Sequence, residues 1–332
     1  MVDTNRRVQL GKTGPSVFPI ALGCMGMGRG SPYGDGAEAE SVATVHAAID
    51  RGVTLLDTGD FYGMGSSEML VGRAIKDRRD KVQLSVKFGG MRGPDGSWFG
   101  YDARPAAVKN FAAYSLRRLG VDVIDVYRPA RLDPQVPIED TIGAIADLIK
   151  AGFVRHIGLS EVGVETIRRA SKVHPIVDLQ IEYSVITRGP EDAIFPLLTE
   201  LGMSATLYGV LSRGLLTGSK VGGQGDFRGL LPRFSGDAGV RNASTVARFQ
   251  AFGAERGMTP AQLSVAWALA KQPAFVPVVG ARTSKQLHDV VDALEHPLSA
   301  ADVLALEAVV PKDAIEGARY PSEHAKHLDS EG

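Results

Sequence analysis

Leu55-Leu56-Asp57-Thr58-Gly59-Asp60-Phe61-Tyr62-Gly63 is an apolar run that stops on a carboxylate and delivers a tyrosine five residues later. The same form returns where a second apolar run closes with Ser85-Val86-Lys87-Phe88. Counting outward, runs of this kind occupy residues 18–23, 53–57, 82–87, 121–128, 154–159, 177–181, 203–208 and 275–279. Helical patterns separate them. Residues 37–51 carry Val42, Val45, Ala48 and Ile49 at helical spacing, and 105–119 has Pro105 at its start. Residues 138–151 stop at Gly152, a residue suited to a helix C-cap, and Thr259-Pro260 opens a helix running through Trp267 to Lys271. Strict strand–helix alternation demands a parallel sheet with right-handed crossovers. Eight such units in 332 residues fit a closed (β/α)8 TIM barrel better than an open doubly wound sheet.

No break in composition marks a linker, so residues 1–332 are expected to form a single domain. Residues 6–16 read as an N-terminal β-hairpin around Gly11-Lys12-Thr13-Gly14. Residues 217–241 interrupt the interval between the last two strands. They are rich in glycine and basic residues (Gly218, Lys220, Gly222, Gly223, Gly225, Arg228, Arg233), and a loop of that length is usually functional or disordered. The tail after Pro311, about 312–332, carries Arg319-Tyr320-Pro321 and is expected to lie over the barrel mouth or to be mobile.

A formal net charge of −1 argues against nucleic acid or an anionic membrane as partner, since both call for a basic face. Arg117-Arg118, Arg168-Arg169 and the charged run 76–81 read as solvated helix surfaces. Cys24 is the single cysteine, which excludes an internal disulfide and suits a reducing cytoplasm. Its type is usually a small buried hydrophobe. The two arginines near the start precede no apolar stretch of signal-peptide length, and no run reaches the roughly 18 apolar residues of a membrane span. The expectation is a soluble cytoplasmic protein. The seven histidines show no metal-ligand spacing.

A barrel does its chemistry at the carboxyl ends of its strands. Those ends read Gly23-Cys24-Met25, Asp57, Lys87, Arg128-Pro129-Ala130, Ser160-Glu161, Gln180, Tyr208 and Gly280. Asp57 and Lys87 come from adjacent strands and can pair. Left alone, such a pair merely satisfies itself. With Tyr62 on the loop after Asp57 it becomes a proton-donating site: a phenol ionises near pH 10, a neighbouring ammonium lowers that value, and Asp57 holds Lys87 charged and in place. Tyr62 can then protonate a carbonyl oxygen as hydride reaches the carbon.

Further segments extend this pattern: Ser67-Glu68-Met69-Leu70-Val71-Gly72-Arg73-Ala74, Gly158-Leu159-Ser160-Glu161, Leu179-Gln180-Ile181-Glu182-Tyr183-Ser184 and Pro277-Val278-Val279-Gly280-Ala281-Arg282-Thr283-Ser284-Lys285-Gln286-Leu287. Together with Asp57, Tyr62 and Lys87 they resemble the aldo-keto reductases over nearly the whole chain. The resemblance implies NADPH-dependent reduction of an aldehyde or ketone to an alcohol, reversibly, with NADH less favoured. Asp57, Tyr62 and Lys87 match three members of that family's catalytic tetrad. The fourth, a histidine, falls in Asp125-Val126-Tyr127-Arg128-Pro129-Ala130-Arg131-Leu132-Asp133-Pro134, where the matching residue is Ala130.

Other roles carried by the resemblance concern the nucleotide. Ser160 and Gln180 would hold the nicotinamide carboxamide, Tyr208 would stack on the ring, and Met25 would lie near it. Gly209, Val210, Leu211, Ser212 and Arg213 would meet the diphosphate, although they depart from the family's usual Ser-Pro-Leu-Gly. Arg213 and Arg233 would belong to a flap over the pyrophosphate. Gly280 would admit close backbone approach, and Arg282 would meet the 2′-phosphate. Gln286 would touch the adenosine half, while Asp289 and Val290 replace the family's usual Glu and Asn. The Gly-rich stretch at 23–30 lacks Rossmann spacing and reads as a tight turn at the rim.

Residues two apart on a strand point the same way, so Arg128 should face the interior beneath Ala130. A guanidinium there needs an anion, and Asp57, Glu161 or Glu182 are the expected partners. Arg128, or a water it holds, is then a candidate to replace part of the missing hydrogen bonding. Two other functions fit the same residues: a nucleotide-binding regulatory module like the β subunits of potassium channels, and a lyase or isomerase using Lys87 to form an imine.

Overall fold

Eight parallel strands close into a barrel in the computed structural model, which describes residues 2–221, 226–325 and 327–331. Gly222, Gly223 and Gly225 of the glycine-rich stretch lie outside the described residues. The strands are β1 (Ala21–Gly23), β2 (Leu55–Gly59), β3 (Gln83–Phe88), β4 (Ile124–Pro129), β5 (Val154–Ser160), β6 (Ile176–Glu182), β7 (Ser204–Tyr208) and β8 (Val276–Gly280). Each lies in or across one of the runs read from sequence. β8 pairs with β1 through Val278↔Ala21 and Gly280↔Gly23, so the sheet has no free edge. The β7–β8 ladder, Thr206↔Val276 and Leu207↔Pro277, is as short as the β1–β2 ladder, and Pro277 cannot donate to it.

Helices α1 (Glu38–Asp50), α2 (Ser66–Ala74), α3 (Pro105–Leu119), α4 (Ile138–Lys150), α5 (Val164–Val173), α6 (Ile194–Leu201), α7 (Gly236–Ala254), α8 (Pro260–Lys271), α9 (Ser284–Val291) and α10 (Ala300–Val309) pack around the strands. Their ends follow local chemistry. Pro105 sits in the first turn of α3, and Gly120 ends it in the left-handed region at φ 65°. α8 has a full capping box, Thr259 with Gln262. Among the described residues no helix is long and apolar enough to cross a membrane, and no cluster of His, Cys, Asp and Glu could hold a metal.

Two segments differ from the sequence expectation. Residues 217–241 are not one loop: short helical turns run Phe227–Leu230 and Pro232–Phe234, and α7 begins at Gly236. Glycines obscure the start of α7, yet Asn242, Thr245, Val246 and Phe249 form a buried stripe at helical spacing. An unexpected hairpin, Gly90–Arg92 with Trp98–Tyr101, follows β3. Its turn was signalled by Pro94-Asp95-Gly96, with Asp95 Oδ1 accepting from the Ser97 amide at 3.0 Å.

The N-terminal hairpin pairs Val8↔Val17 and Gln9↔Ser16 antiparallel. Leu10 and Val17 pack on Ala21, Leu55, Val276 and Val278, which closes the amino-terminal end of the barrel with apolar side chains. The opposite end is left for chemistry.

Between them the barrel interior is polar. Arg128 is fully buried, and its guanidinium donates to Asp178 Oδ2 at 2.9 Å, Leu159 O at 3.2 Å, Ser85 Oγ at 3.1 Å and Thr206 Oγ1 at 3.4 Å. The strand parity holds, but the anion is Asp178 rather than Asp57, Glu161 or Glu182. Asp178 faces inward from β6 with both side chains completely enclosed, so this pair forms beneath the site and not in its mouth. Asp178→Asn should leave a buried guanidinium uncompensated and lower unfolding free energy by about 3–5 kcal/mol in urea titrations. A loss below roughly 1 kcal/mol would contradict a structural role for the pair.

Candidate active site

Asp57 ends the inward-facing series of β2 and is almost fully buried, so its carboxylate must find donors. Lys87 supplies one through its ammonium, Ser85 Oγ donates to Oδ2 at 2.7 Å, and Gln180 Nε2 donates to the same oxygen at 2.8 Å. Burial alone would raise the Asp57 carboxyl, but Lys87 and then Arg128 hold it below its usual range. Burial lowers the Lys87 ammonium against the pull of Asp57, with Arg128 and Arg131 adding to the lowering.

The chain leaves β2 through Phe61 and turns sharply at Tyr62. Gly63 is at φ 54°, and a Cβ there would lie 2.2 Å from Arg29 O, so the turn requires glycine. Met64 shares the left-handed conformation at the same φ of 54°. This double left-handed step separates Tyr62 from the start of α2. The Lys87 Nζ lies over the phenol ring, 5.3 Å from its centroid, and Phe61 meets the ring edge-on at 4.9 Å. Trp98 of the unexpected hairpin packs on Phe61 at 6.0 Å.

The acidity of Tyr62 runs against the sequence expectation. Burial, followed by Asp57, raises the phenol well above its ordinary value of 10.0, and the cation opposing that rise is Arg131. Lys87 faces the ring rather than the hydroxyl. Tyr62 is therefore held protonated at neutral pH. Behind it, burial raises the Asp60 carboxyl to about 8 against the hydrogen bond from the Gly89 amide.

At the mouth, Ser160 Oγ accepts from Arg131 Nη1 at 3.4 Å, and Tyr208 donates its hydroxyl to Glu161 Oε1 at 2.8 Å. The Tyr208 hydroxyl also meets that of Tyr320 at 3.1 Å. Arg319 bonds both Glu161 oxygens, at 3.2 and 3.1 Å, and reaches Glu182 at 3.3 Å and Glu331 at 2.6 Å. Ser330 Oγ donates to Glu161 at 2.6 Å, and Asp329 accepts from the Gly163 amide at 2.8 Å. The tail thus crosses the mouth beside Ser160 and Tyr208. From the sequence Glu161 reads as a strand-end residue and a partner for Arg128; the structure makes it the anchor of the tail.

The remaining expected residues fall along one rim. Arg213, at φ 55°, donates to Glu182 at 2.8 Å, and its guanidinium lies 4.5 Å over the Tyr320 ring. Gly209 is at φ 70°, Val210 is buried, Leu211 is half-buried, and Ser212 Oγ donates to Ser184 Oγ at 3.1 Å. Arg233 donates to Gly317 O at 3.0 Å and Thr187 Oγ1 at 2.8 Å. Met25 is half-buried near β1. Gly280 is exposed, and no atom lies within 4 Å of where its Cβ would be. Arg282 donates to the carbonyls of Tyr33, Gly34 and Asp35 at 2.9, 3.3 and 3.1 Å, and Gln286 Oε1 accepts from its amide at 2.8 Å. Asp289 is turned away, accepting from Thr259 Oγ1 at 3.0 Å at the start of α8. Arg128 does not reach the mouth. Arg131, which sequence reading passed over, does.

Residues 19–311 match the model of the aldo/keto reductase family. A Glycine max protein described as "Probable aldo-keto reductase 1" is 37% identical over 320 residues, covering 94% of this chain and 91% of its own. A glycerol dehydrogenase from Gluconobacter oxydans superposes with a TM-score of 0.82 at 26% identity, over 99% of this chain and 98% of that one. The holo form of an aldo-keto reductase from Bacillus halodurans gives 0.74 at 27% identity, over 92% and 97%.

Glu161 makes the tail's anchorage sensitive to acid. Burial would raise its carboxyl, but Arg319 foremost, then Arg131 and the bonds from Arg319 and Ser330, bring it from 4.5 down to about 2. A depressed folded value means stability that is complete above pH 4.5 and is lost as pH falls toward 2. Urea unfolding of the natural chain should lose about 3 kcal/mol across that window from this group, and Glu161→Gln should flatten the slope by the same amount. An unchanged slope would show that Glu161 is not the group titrating.

Proposed function

The chain belongs to the aldo/keto reductase family, oxidoreductases that act on carbonyls with a pyridine nucleotide, and we propose that it reduces an aldehyde or ketone at the expense of NADPH. The observation that carries this reading is the buried Asp57–Lys87 ion pair lying directly under a protonated Tyr62 at the open end of the barrel.

Tyr62 is the proton donor. Its phenol is un-ionised at neutral pH, which is the form that reduction needs, while alcohol oxidation would need the phenolate. Asp57 and Lys87 serve it by position and charge. An ammonium over the ring face favours a developing phenolate and fixes the ring, and Asp57, itself held by Ser85 and Gln180, fixes the ammonium. The same pairing engages the Lys87 ammonium in an ion pair with Asp57.

The residues present fit a nicotinamide dinucleotide phosphate. Ser160 and Tyr208 would flank the nicotinamide, whose reduced ring supplies hydride when bound. Arg213 and Arg233 bring cations to one stretch of the rim, and the open space at Gly280 leaves room for a backbone approach. Arg282 offers a guanidinium beside it, and a cation there favours a 2′-phosphate over a hydroxyl.

Tyr62→Phe should lower kcat/KM for any accepted carbonyl by about 10²- to 10⁴-fold in an NADPH-consumption assay, with the fold and nucleotide binding intact. Near-normal turnover would remove Tyr62 as donor. Separately, Arg282→Ala should weaken NADPH binding tenfold or more and leave NADH binding nearly unchanged, on the order of one lost charged hydrogen bond. Equal losses for both nucleotides would refute 2′-phosphate recognition by Arg282.

A further inference from the structure

Ala130 offers the site only a methyl group, and Arg128 is spent on Asp178. The next side chain along is Arg131. Its Nη1 folds back to the carbonyl of Ala130 at 2.6 Å, and its other contacts are long: Ser160 Oγ at 3.4 Å and Tyr320 Oη at 3.5 Å. A guanidinium has five N–H donors, so most of its capacity is unspent. Around it stand the charged and titratable groups Lys87, Tyr62, Tyr101, Tyr208, Tyr320 and Glu161.

The pairing pattern sets Arg131 apart. Lys87 is paired with Asp57, Arg213 with Glu182, and Arg319 with Glu161, Glu182 and Glu331. Among the described residues, no carboxylate lies within ion-pair distance of Arg131. A half-buried cation that forgoes a counterion beside a proton-donating phenol is arranged to meet negative charge that appears only during reaction. Its charge also opposes the rise in the pKa of Tyr62, the residue that must become phenolate.

We propose that Arg131 is a catalytic residue, donating to the substrate's carbonyl oxygen the hydrogen bond that Ala130 cannot. This rests on the carbonyl-reduction reading above. As the carbon gains hydride, the C=O π pair moves to oxygen, which takes the Tyr62 proton; Arg131 stabilises both the oxygen before that transfer and the phenolate after it. Solvent then returns a proton to Tyr62.

The test compares Arg131→Met, Arg131→Lys and Arg131→Ala with Tyr62→Phe, using the full chain, NADPH and the best substrate of a carbonyl panel. Arg131→Met should lose about 10²- to 10³-fold in kcat, with KM and nucleotide binding (followed by tryptophan fluorescence) changed less than threefold or so. Arg131→Lys should recover at least a tenth of natural turnover, and millimolar guanidinium should partly restore Arg131→Ala. The primary deuterium isotope effect on kcat should rise in each variant as chemistry becomes slower. If Tyr62→Phe is inactive while Arg131→Met keeps kcat within about threefold, the role of Arg131 is overturned and the reading of Tyr62 stands. If Tyr62→Phe is fully active, both fall. Should Arg131→Met fail to bind nucleotide, Arg131→Ala decides: natural kcat without added guanidinium and an unchanged isotope effect would overturn the proposal.

Discussion

Everything at the mouth of this barrel depends on burying Asp57. A carboxylate with so little access to water is tolerated only if donors converge on it, and here they come from three different strands: Ser85 and Lys87 on β3, Gln180 on β6, and the charge of Arg128 on β4 from below. That requirement couples the strands' register to the chemistry. Shift β3 by one residue and Lys87 would point out of the barrel, leaving Asp57 to take up a proton and Tyr62 without the charge beneath its ring. The lower layer follows the same logic. Arg128 and Asp178 neutralise each other inside a core that the N-terminal hairpin seals with apolar side chains. The interior is therefore a stack of compensated charges, each layer fixing the one above.

The mouth follows the same pairing. Glu161 and Glu182 are bound by Arg319 and Arg213, so the carboxylates nearest the expected nicotinamide position are neutralised by side chains from the tail and from the loop after β7. Tyr320 is drawn in with them, bonded to Tyr208 and lying under Arg213. A nucleotide stacking on Tyr208 would contact Tyr320 or displace it. The tail is thus part of the wall that a cofactor and substrate meet, held to Glu161 by Arg319 and Ser330.

Much of this was legible in the sequence, for a definite reason. Strand ends in a parallel barrel are announced by polar residues after apolar runs, so Asp57, Lys87, Ser160, Gln180 and Tyr208 could be read off in order. Helical glycine masks periodicity, which is why α7 hid within the 217–241 stretch. What escaped were relations between segments distant in the chain. Asp178 is one residue inside an apolar run and gives no local hint that it opposes Arg128 fifty residues away. Glu161 and Arg319 are separated by 158 positions, and only the fold shows that one anchors the other. A neighbouring ammonium implies a lowered phenol, but at Tyr62 burial and then Asp57 dominate and raise it, which the sequence alone does not show.

That last shift bears on the role proposed for Arg131 beside Ala130. A neutral imidazole and a guanidinium solve different problems: one donates a directed hydrogen bond, the other adds a full charge with several donors. A phenol raised well above its usual acidity range by burial and by Asp57 is a reluctant proton donor. Replacing a neutral donor with a cation eases that reluctance where a second neutral group could not. Arg131 lies close to that position, since its Nη1 folds back to the Ala130 carbonyl. The proposed role of Arg131 thus rests on its charge as well as on its hydrogen bonding.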